Sequence, residues 1–178
     1  MNLVTDLLKE NSKRNIVAIA QYILKDESKF SELITLLSSE NTKIVQRASW
    51  VLSNVIDNNT LYLIEPYCDK LLKLISKQKH PAYKRNLLHI IRMLDTIPEK
   101  IQSDVLELCI NTATNHQETA ANRAFAIHIL GKLCVIHPEL INETIGIIEP
   151  LIEHNLPSIR SSAKHTIKKI TKNKKIFT

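Results

Sequence analysis

Apolar residues recur along the chain with a helical period, and the same register returns five times. Counting from Arg123, the residues Ala126, Ile129, Leu130 and Leu133 fall at offsets 3, 6, 7 and 10. Those offsets trace one stripe of a helix with about 3.6 residues per turn. The same count from Lys13 gives Ile16, Ile19, Ala20 and Ile23, and from Val45 it gives Ala48, Val51, Leu52 and Val55. From Lys84 it gives Leu87, Ile90, Ile91 and Leu94, and from Arg160 it gives Ala163, Thr166, Ile167 and Ile170. Nineteen of the twenty positions are apolar, Thr166 being the exception. The five starts lie 32, 39, 39 and 37 residues apart, a period typical of stacked helical repeats.

Each of these stretches is predicted as the second helix of a pair, and a shorter apolar stripe precedes each one. Leu3, Val4, Leu7 and Leu8 share one side of a helix over Leu3–Glu10. Ser28 is a candidate N-cap for a stripe of Phe30, Leu33, Ile34 and Leu37, and Asn41 or Thr42 for the helix that follows. Pro66, Pro98 and Pro138 suit first turns, leading into Tyr67–Ile75, Ile101–Cys109 and Leu140–Ile148, with a break or kink at Pro150. Turns fall at Asn11–Ser12, Asp57–Asn59, Lys79–Pro81, Asn115–His116 and Asn155–Pro157. The prediction is one all-α domain over residues 1–178, with pairs near 2–25, 28–57, 61–95, 98–136 and 138–172 and a frayed tail over Asn173–Thr178. An amphipathic pair cannot bury its stripe alone, so neighbouring pairs must stack into a continuous core.

Composition narrows the function. Two glycines, six prolines and 4% aromatic residues fit poorly with a β-rich fold or a glycine-loop enzyme. No apolar run reaches the roughly 18–20 residues of a membrane span. The amino terminus lacks the basic-then-apolar layout of a signal peptide. Cys68, Cys109 and Cys134 are odd in number and widely spaced, which points to buried thiols in a reducing cytoplasm rather than disulfide or metal use.

Two stretches carry a family pattern. Asn155–Ile170 and Arg123–Leu133 resemble the second helices of HEAT repeats, where Pro-x-[IV]-Arg-x-x-Ala-x-x-[AIV]-Leu recurs. Here Pro157, Ile159, Arg160, Ala163 and Ile167 meet it, as do Arg123, Ala126, Leu130 and Leu133. Ala48–Ile56 is closer to the armadillo variant, in which Ala-x-Trp-x-Leu-x-Asn recurs. The resemblance implies a right-handed α-α superhelix of about five HEAT/armadillo-like pairs. The family's acid before the Arg is replaced by His154 or Asn155, and by Lys79 or His80, and Val45 fills the basic slot of the second repeat.

Laid over one another, the repeats give columns outside the core. Offset 5 holds Ala18, Trp50, His89, His128 and His165, and offset 9 holds Tyr22, Asn54, Met93, Lys132 and Lys169. In armadillo proteins these columns line a concave groove for extended peptides, and Trp50 and Asn54 match in type and spacing. The implied site is a concave face of Trp50, Asn54, His89, Met93, His128, Lys132 and His165 for a protein or peptide partner. The other reading leaves these residues facing solvent or filling repeat junctions.

The net charge of +6 is confined to two segments. Residues 70–92 carry Lys70, Lys73, Lys77, Lys79, Lys84, Arg85 and Arg92 and no acid. Residues 160–178 carry Arg160, Lys164, Lys168, Lys169, Lys172, Lys174 and Lys175, again without an acid. Arg160, Lys164, Lys168 and Lys172 are spaced by four, which makes one basic stripe. Such stripes bind phosphates or acidic surfaces, or serve as the solvated face of a repeat and the end of an array. A nucleic-acid module using segments 70–92 and 160–175 is therefore the alternative. One tryptophan and the lack of acids in either basic segment argue against the HEAT-like alkylation-repair glycosylases. No phosphate loop, G-x-S-x-G elbow or H-E-x-x-H motif occurs, and nothing supports a lyase-type assignment. The expectation is a non-enzymatic cytoplasmic scaffold without cofactor or metal, not membrane-bound, and monomeric or weakly oligomeric.

Overall fold

The computed structural model describes residues 2–78 and 80–174. Lys79, Lys175 and the end of the tail therefore lie outside the described residues. The chain groups into two compact units, Met1–Thr96 and Ile97–Thr178. Among the described residues both are built of helices, with no strand.

The first unit contains α1 (Leu3–Lys9), α2 (Lys13–Lys25), α3 (Ser28–Leu36), α4 (Thr42–Val55), α5 (Leu61–Ile64), α6 (Cys68–Leu74) and α7 (Pro81–Met93). A 3₁₀ turn at Glu65–Tyr67 joins α5 to α6 without interruption, so the two act as one bent first helix. Second helices stack on second helices: α2 packs on α4, and α4 on α7. First helices line up behind them, with α1 touching α3.

The second unit contains α8 (Gln102–Thr114), α9 (Ala120–Ile136), α10 (Ile141–Ile148) and α11 (Pro157–Lys174). Here α9 packs on α11 and α8 touches α10. Because α9 is flanked by α8, α10 and α11, it buries residues around most of its circumference, from Asn122 to Cys134. Cys134, Ile141 and Ile170 form a small core among these helices.

Local chemistry explains the starts. Asn2, Ser12, Asn41 and Thr119 each accept a backbone N–H of the first helical turn through the side chain, satisfying donors the helix cannot. His80 does the same through Nδ1, which accepts from Ala82 N at 3.1 Å, and Pro81 follows at the first helical position. Ser28 was expected to cap α3 but is its first residue instead. Glu27 precedes it in helical conformation without a side-chain cap, and Ser28 Oγ donates to Asp26. Pro150 ends α10 in a 3₁₀ turn over Glu149–Glu153, since proline removes the donor a further α-helical turn needs. Pro98 stands just before a 3₁₀ turn, Glu99–Ile101, rather than inside it. The last helix runs through Lys174, past the point where fraying was expected.

Nineteen of the twenty stripe positions are buried, Thr166 included, and Ile167 is half-buried. The expected α3 stripe, Phe30, Leu33, Ile34 and Leu37, is buried throughout, but that of α1 is narrower than predicted. In α1, Leu3 and Leu7 are buried, whereas Val4 and Leu8 are exposed, because α2, α3 and α4 cover a single side of that helix.

Polar side chains tie the layers by satisfying carbonyls at the ends of first helices. Asn15 Nδ2 donates to Asp6 O at 2.8 Å, Arg47 Nη1 to Leu7 O at 2.6 Å and Gln78 Nε2 to Leu37 O at 2.7 Å. Tyr83 Oη donates to Leu71 O at 2.7 Å and Arg123 Nε to Ala113 O at 3.0 Å. Burial pushes the Tyr83 phenol well above its ordinary range, so it is a permanent donor. Between second helices, Asn86 Nδ2 donates to Ser49 Oγ at 2.9 Å, and both residues are buried.

Candidate functional site

The off-stripe positions of the second helices are where side chains reach solvent. In the first unit, Trp50 on α4 and His89 on α7 are half-buried, while Asn54 is exposed and Met93 is 53% exposed. Asn54 Nδ2 donates to Trp50 O at 2.8 Å, so that N–H is engaged within its own helix. Met93 Sδ lies 3.4 Å from Arg92 Nη2. Burial, and then the charge of Arg92, hold His89 below its ordinary pKa. His89 therefore favours its neutral form at pH 7.

In the second unit, His128 on α9 and His165 on α11 meet edge to face, with ring centroids 6.0 Å apart. Ser162 Oγ and His128 Nε2 are within hydrogen-bond distance at 3.2 Å. His128 and Lys132 are half-buried and His165 is exposed. Of the ring column expected from sequence, the structure thus joins the last two members directly.

The basic residues divide into those that line grooves and those that do not. Lys73 and Lys77 line a groove of about 1030 Å³ in the first unit, together with Lys70 and the turn between α3 and α4. Lys84, Arg85 and Arg92 sit on α7 away from its lining. In the second unit Arg160, Lys164 and Lys168 line a groove of about 460 Å³ with His165. Lys169 and Lys172 are exposed on α11 outside that lining. The ring column and the basic stripe, separate in the sequence pattern, therefore converge at His165. Arg160 also has a structural bond, from Nη1 to His154 O at 3.0 Å. No ion pair among the described residues involves Lys70, Lys73, Lys77, Lys164 or Lys168.

Three features escaped the sequence pattern. The α3–α4 turn supplies Ser38, Ser39, Glu40 and Thr42 to the larger groove. Arg123, 3% exposed, faces the histidine that stands where the repeat pattern has an acid: its Nη1 lies 3.1 Å from His154 Nε2. Its Nη2 is buried without a hydrogen-bond partner, and burial lowers its pKa. Finally, His137 Nε2 lies 2.7 Å from Gln102 Oε1 in a third groove, of about 350 Å³. Spacing gave a signal for none of these, because each joins residues from different periods.

Among the described residues, no three His, Cys, Asp or Glu side chains cluster as a metal site would require. No helix there is long and apolar enough to cross a membrane. A family model described as a HEAT repeat domain matches residues 3–170. HEAT repeats are typically non-catalytic scaffolds and commonly mediate protein interactions. No curated protein matches the chain.

Proposed function

This chain belongs to the HEAT repeat family, and from that premise we propose that it is a non-enzymatic protein-binding scaffold. The partner contacts off-stripe positions of the second helices, the columns that line the concave groove in armadillo proteins. One observation carries the reading. Nineteen of the twenty core offsets are buried, yet the columns beside them keep Trp50 and His89 half-exposed and Met93 more than half-exposed. Tryptophan and methionine offer large, polarisable contact area and are enriched at interfaces. In the second unit the corresponding positions are polar, His128, Lys132 and His165, and by themselves suit an acidic or aromatic group. Three buried thiols, none of them in a disulfide, support a reducing compartment such as the cytoplasm.

Trp50→Ala combined with Met93→Ala tests this. Partner capture from native lysate should fall by about tenfold or more, as expected when an interface anchor is truncated, while far-UV circular dichroism is unchanged. Loss of helicity together with capture assigns Trp50 to the core and removes the proposed face. Capture that is unaffected removes it equally.

A second reading, a nucleic-acid module using segments 70–92 and 160–175, has its own support in the unpaired lysines of the two basic grooves. Retention on nucleic acid that falls steeply with salt favours it. Capture that survives salt and depends on Trp50 favours the scaffold.

A further inference from the structure

We propose that the groove between the α3–α4 turn and α6 docks an extended, Asp/Glu-rich segment of a protein partner. The inference rests on the protein-binding reading but not on the Trp50 face. Lys70, Lys73 and Lys77 line one wall. Their spacing of three and four residues puts them on one side of α6 and the turn that follows it, a row roughly 10 Å long at a helical rise of about 1.5 Å per residue. No carboxylate among the described residues pairs with them, so the lining holds three lysines against one carboxylate, Glu40. An incoming anion relieves the repulsion among the lysines.

The opposite wall is the α3–α4 turn. Gln78 Nε2, donating to Leu37 O at 2.7 Å, ties the end of one wall to the end of the other and fixes the groove's width there. Thr42, in the lining, is the first residue of the fourteen-residue α4, so a positive helix end adds to the field. Leu74 contributes an apolar floor that limits solvent screening of any pair formed above it.

Size and chemistry choose the ligand. At about 1030 Å³ the groove is at the top of the roughly 300–1,000 Å³ range of small-molecule pockets, far more than one ion needs. An extended peptide places alternate side chains about 6.6–6.8 Å apart on one side, so two or three alternating carboxylates match the lysine row. The hydroxyls of Ser38, Ser39 and Thr42 can meet its backbone. The lining has no aromatic ring and no arginine, hence neither a base-stacking platform nor a bidentate phosphate fork. Glu40 also lines it and would repel a polyanion filling the whole groove, whereas a short acidic segment can keep its carboxylates on the lysine wall.

The test is fluorescence anisotropy on the full chain at low ionic strength. The probes are a labelled peptide alternating Glu and Ser, its Gln/Ser counterpart, and a labelled single strand and duplex of DNA. The Glu peptide should bind and the Gln peptide should not. Lys73→Glu with Lys77→Glu should weaken binding by about tenfold or more, with circular dichroism unchanged since both positions are exposed. Lys13→Glu, exposed on α2, should change it less than about twofold. Lys73→Gln with Lys77→Gln gives the same ranking should the charge reversals perturb folding. Three results overturn the proposal: equal binding of the two peptides, equal loss in Lys13→Glu, or DNA displacing the Glu peptide through the same lysines. The last also counts against the protein-binding reading. Partner capture that depends on Trp50, alongside a Glu peptide that does not bind, sinks the groove alone.

Discussion

Replacing Gly131 by alanine asks how closely α9 and α11 are held. Helix propensity alone favours the change by about 0.8–1 kcal/mol. Packing opposes it, because a Cβ at position 131 would stand 2.7 Å from Thr166 Cγ2, well inside the ~3.5–4.0 Å at which carbon atoms pack. Thr166 is 2% exposed and its Cγ2 sits directly on Cβ, so burial on a short side chain leaves the methyl little room to turn away and the helices must separate. Overpacking of this kind costs about 1–3 kcal/mol, leaving a net loss of about 1–2 kcal/mol once the propensity gain is set against the upper part of that range. Thr166→Ser deletes the offending methyl and by itself costs about 1 kcal/mol for the lost buried group. In the double variant the new methyl takes the space the old one left. The pair should therefore be no less stable than Thr166→Ser alone, with a favourable coupling of about 1–3 kcal/mol. Urea unfolding followed by far-UV circular dichroism reads the loss as a midpoint lowered by about 0.5–1 M, for a slope near 2 kcal/mol/M. Hydrogen exchange on α9 and α11 amides confines the effect to the second unit, since repeat arrays need not unfold in one step. A Gly131→Ala midpoint at or above the wild type, or a double variant that merely adds the two singles, would refute the close-approach argument.

Three further outcomes follow from particular bonds. Tyr83→Phe removes the donor to Leu71 O in a buried setting and should cost about 1–2 kcal/mol in urea unfolding, with helicity retained. Ser49→Ala strands the buried Asn86 amide and should cost about 1–3 kcal/mol, whereas Ser49→Ala with Asn86→Leu should recover most of the loss because no polar group is left unpaired. His154 is held below its ordinary pKa by burial and then by Arg123 and His116. Its contribution is therefore fully present above the unfolded value of about 6.5 and is lost as pH falls from there toward the lowered folded value. Thermal melts from pH 7.5 to 5.5 should show that loss, and a His154→Gln variant with an equally steep decline would show that another group is responsible. His89 adds a loss of the same sign in the first unit.

The second-helix stripes could be read directly, because stacking imposes the same burial on every pair and periodicity records it. The lone polar residue in those stripes, Thr166, could be noticed but not explained. Its side chain packs closely against Gly131 on the facing helix, and no periodic count links the two. Amphipathic spacing puts Val4 and Leu8 on the stripe of α1, yet both are exposed, because spacing does not encode how wide a face the neighbouring helices cover. The lysines of 70–92 could be listed, but not sorted. Lys70, Lys73 and Lys77 share a groove with residues of the α3–α4 turn, while Lys84, Arg85 and Arg92 lie on another helix. Charge counted along a chain does not reveal which charges the fold leaves uncompensated. Trp50 and Asn54 matched an armadillo pair by spacing, yet one Asn54 N–H is committed to its own helix, a choice that spacing cannot encode.

The substitution of histidine for the repeat pattern's acid has consequences that reach the second basic groove. An aspartate facing Arg123 would stay charged to about pH 4 and would compensate the buried guanidinium. His154 does neither. Its Nδ1 lies 3.1 Å from the Leu156 N–H and its Nε2 3.1 Å from Arg123 Nη1, so both ring nitrogens face donors. A neutral imidazole has one bare nitrogen and the imidazolium has none. Protonation thus removes the acceptor and adds a cation beside an arginine whose Nη2 already lacks a partner. The carbonyl of the same residue holds Arg160 through Nη1, and Arg160 lines the groove with Lys164, His165 and Lys168. The junction that orders the start of α11 therefore weakens as pH falls through the range in which His154 takes up its proton, a loss at the base of this groove that a carboxylate in place of His154 would not create.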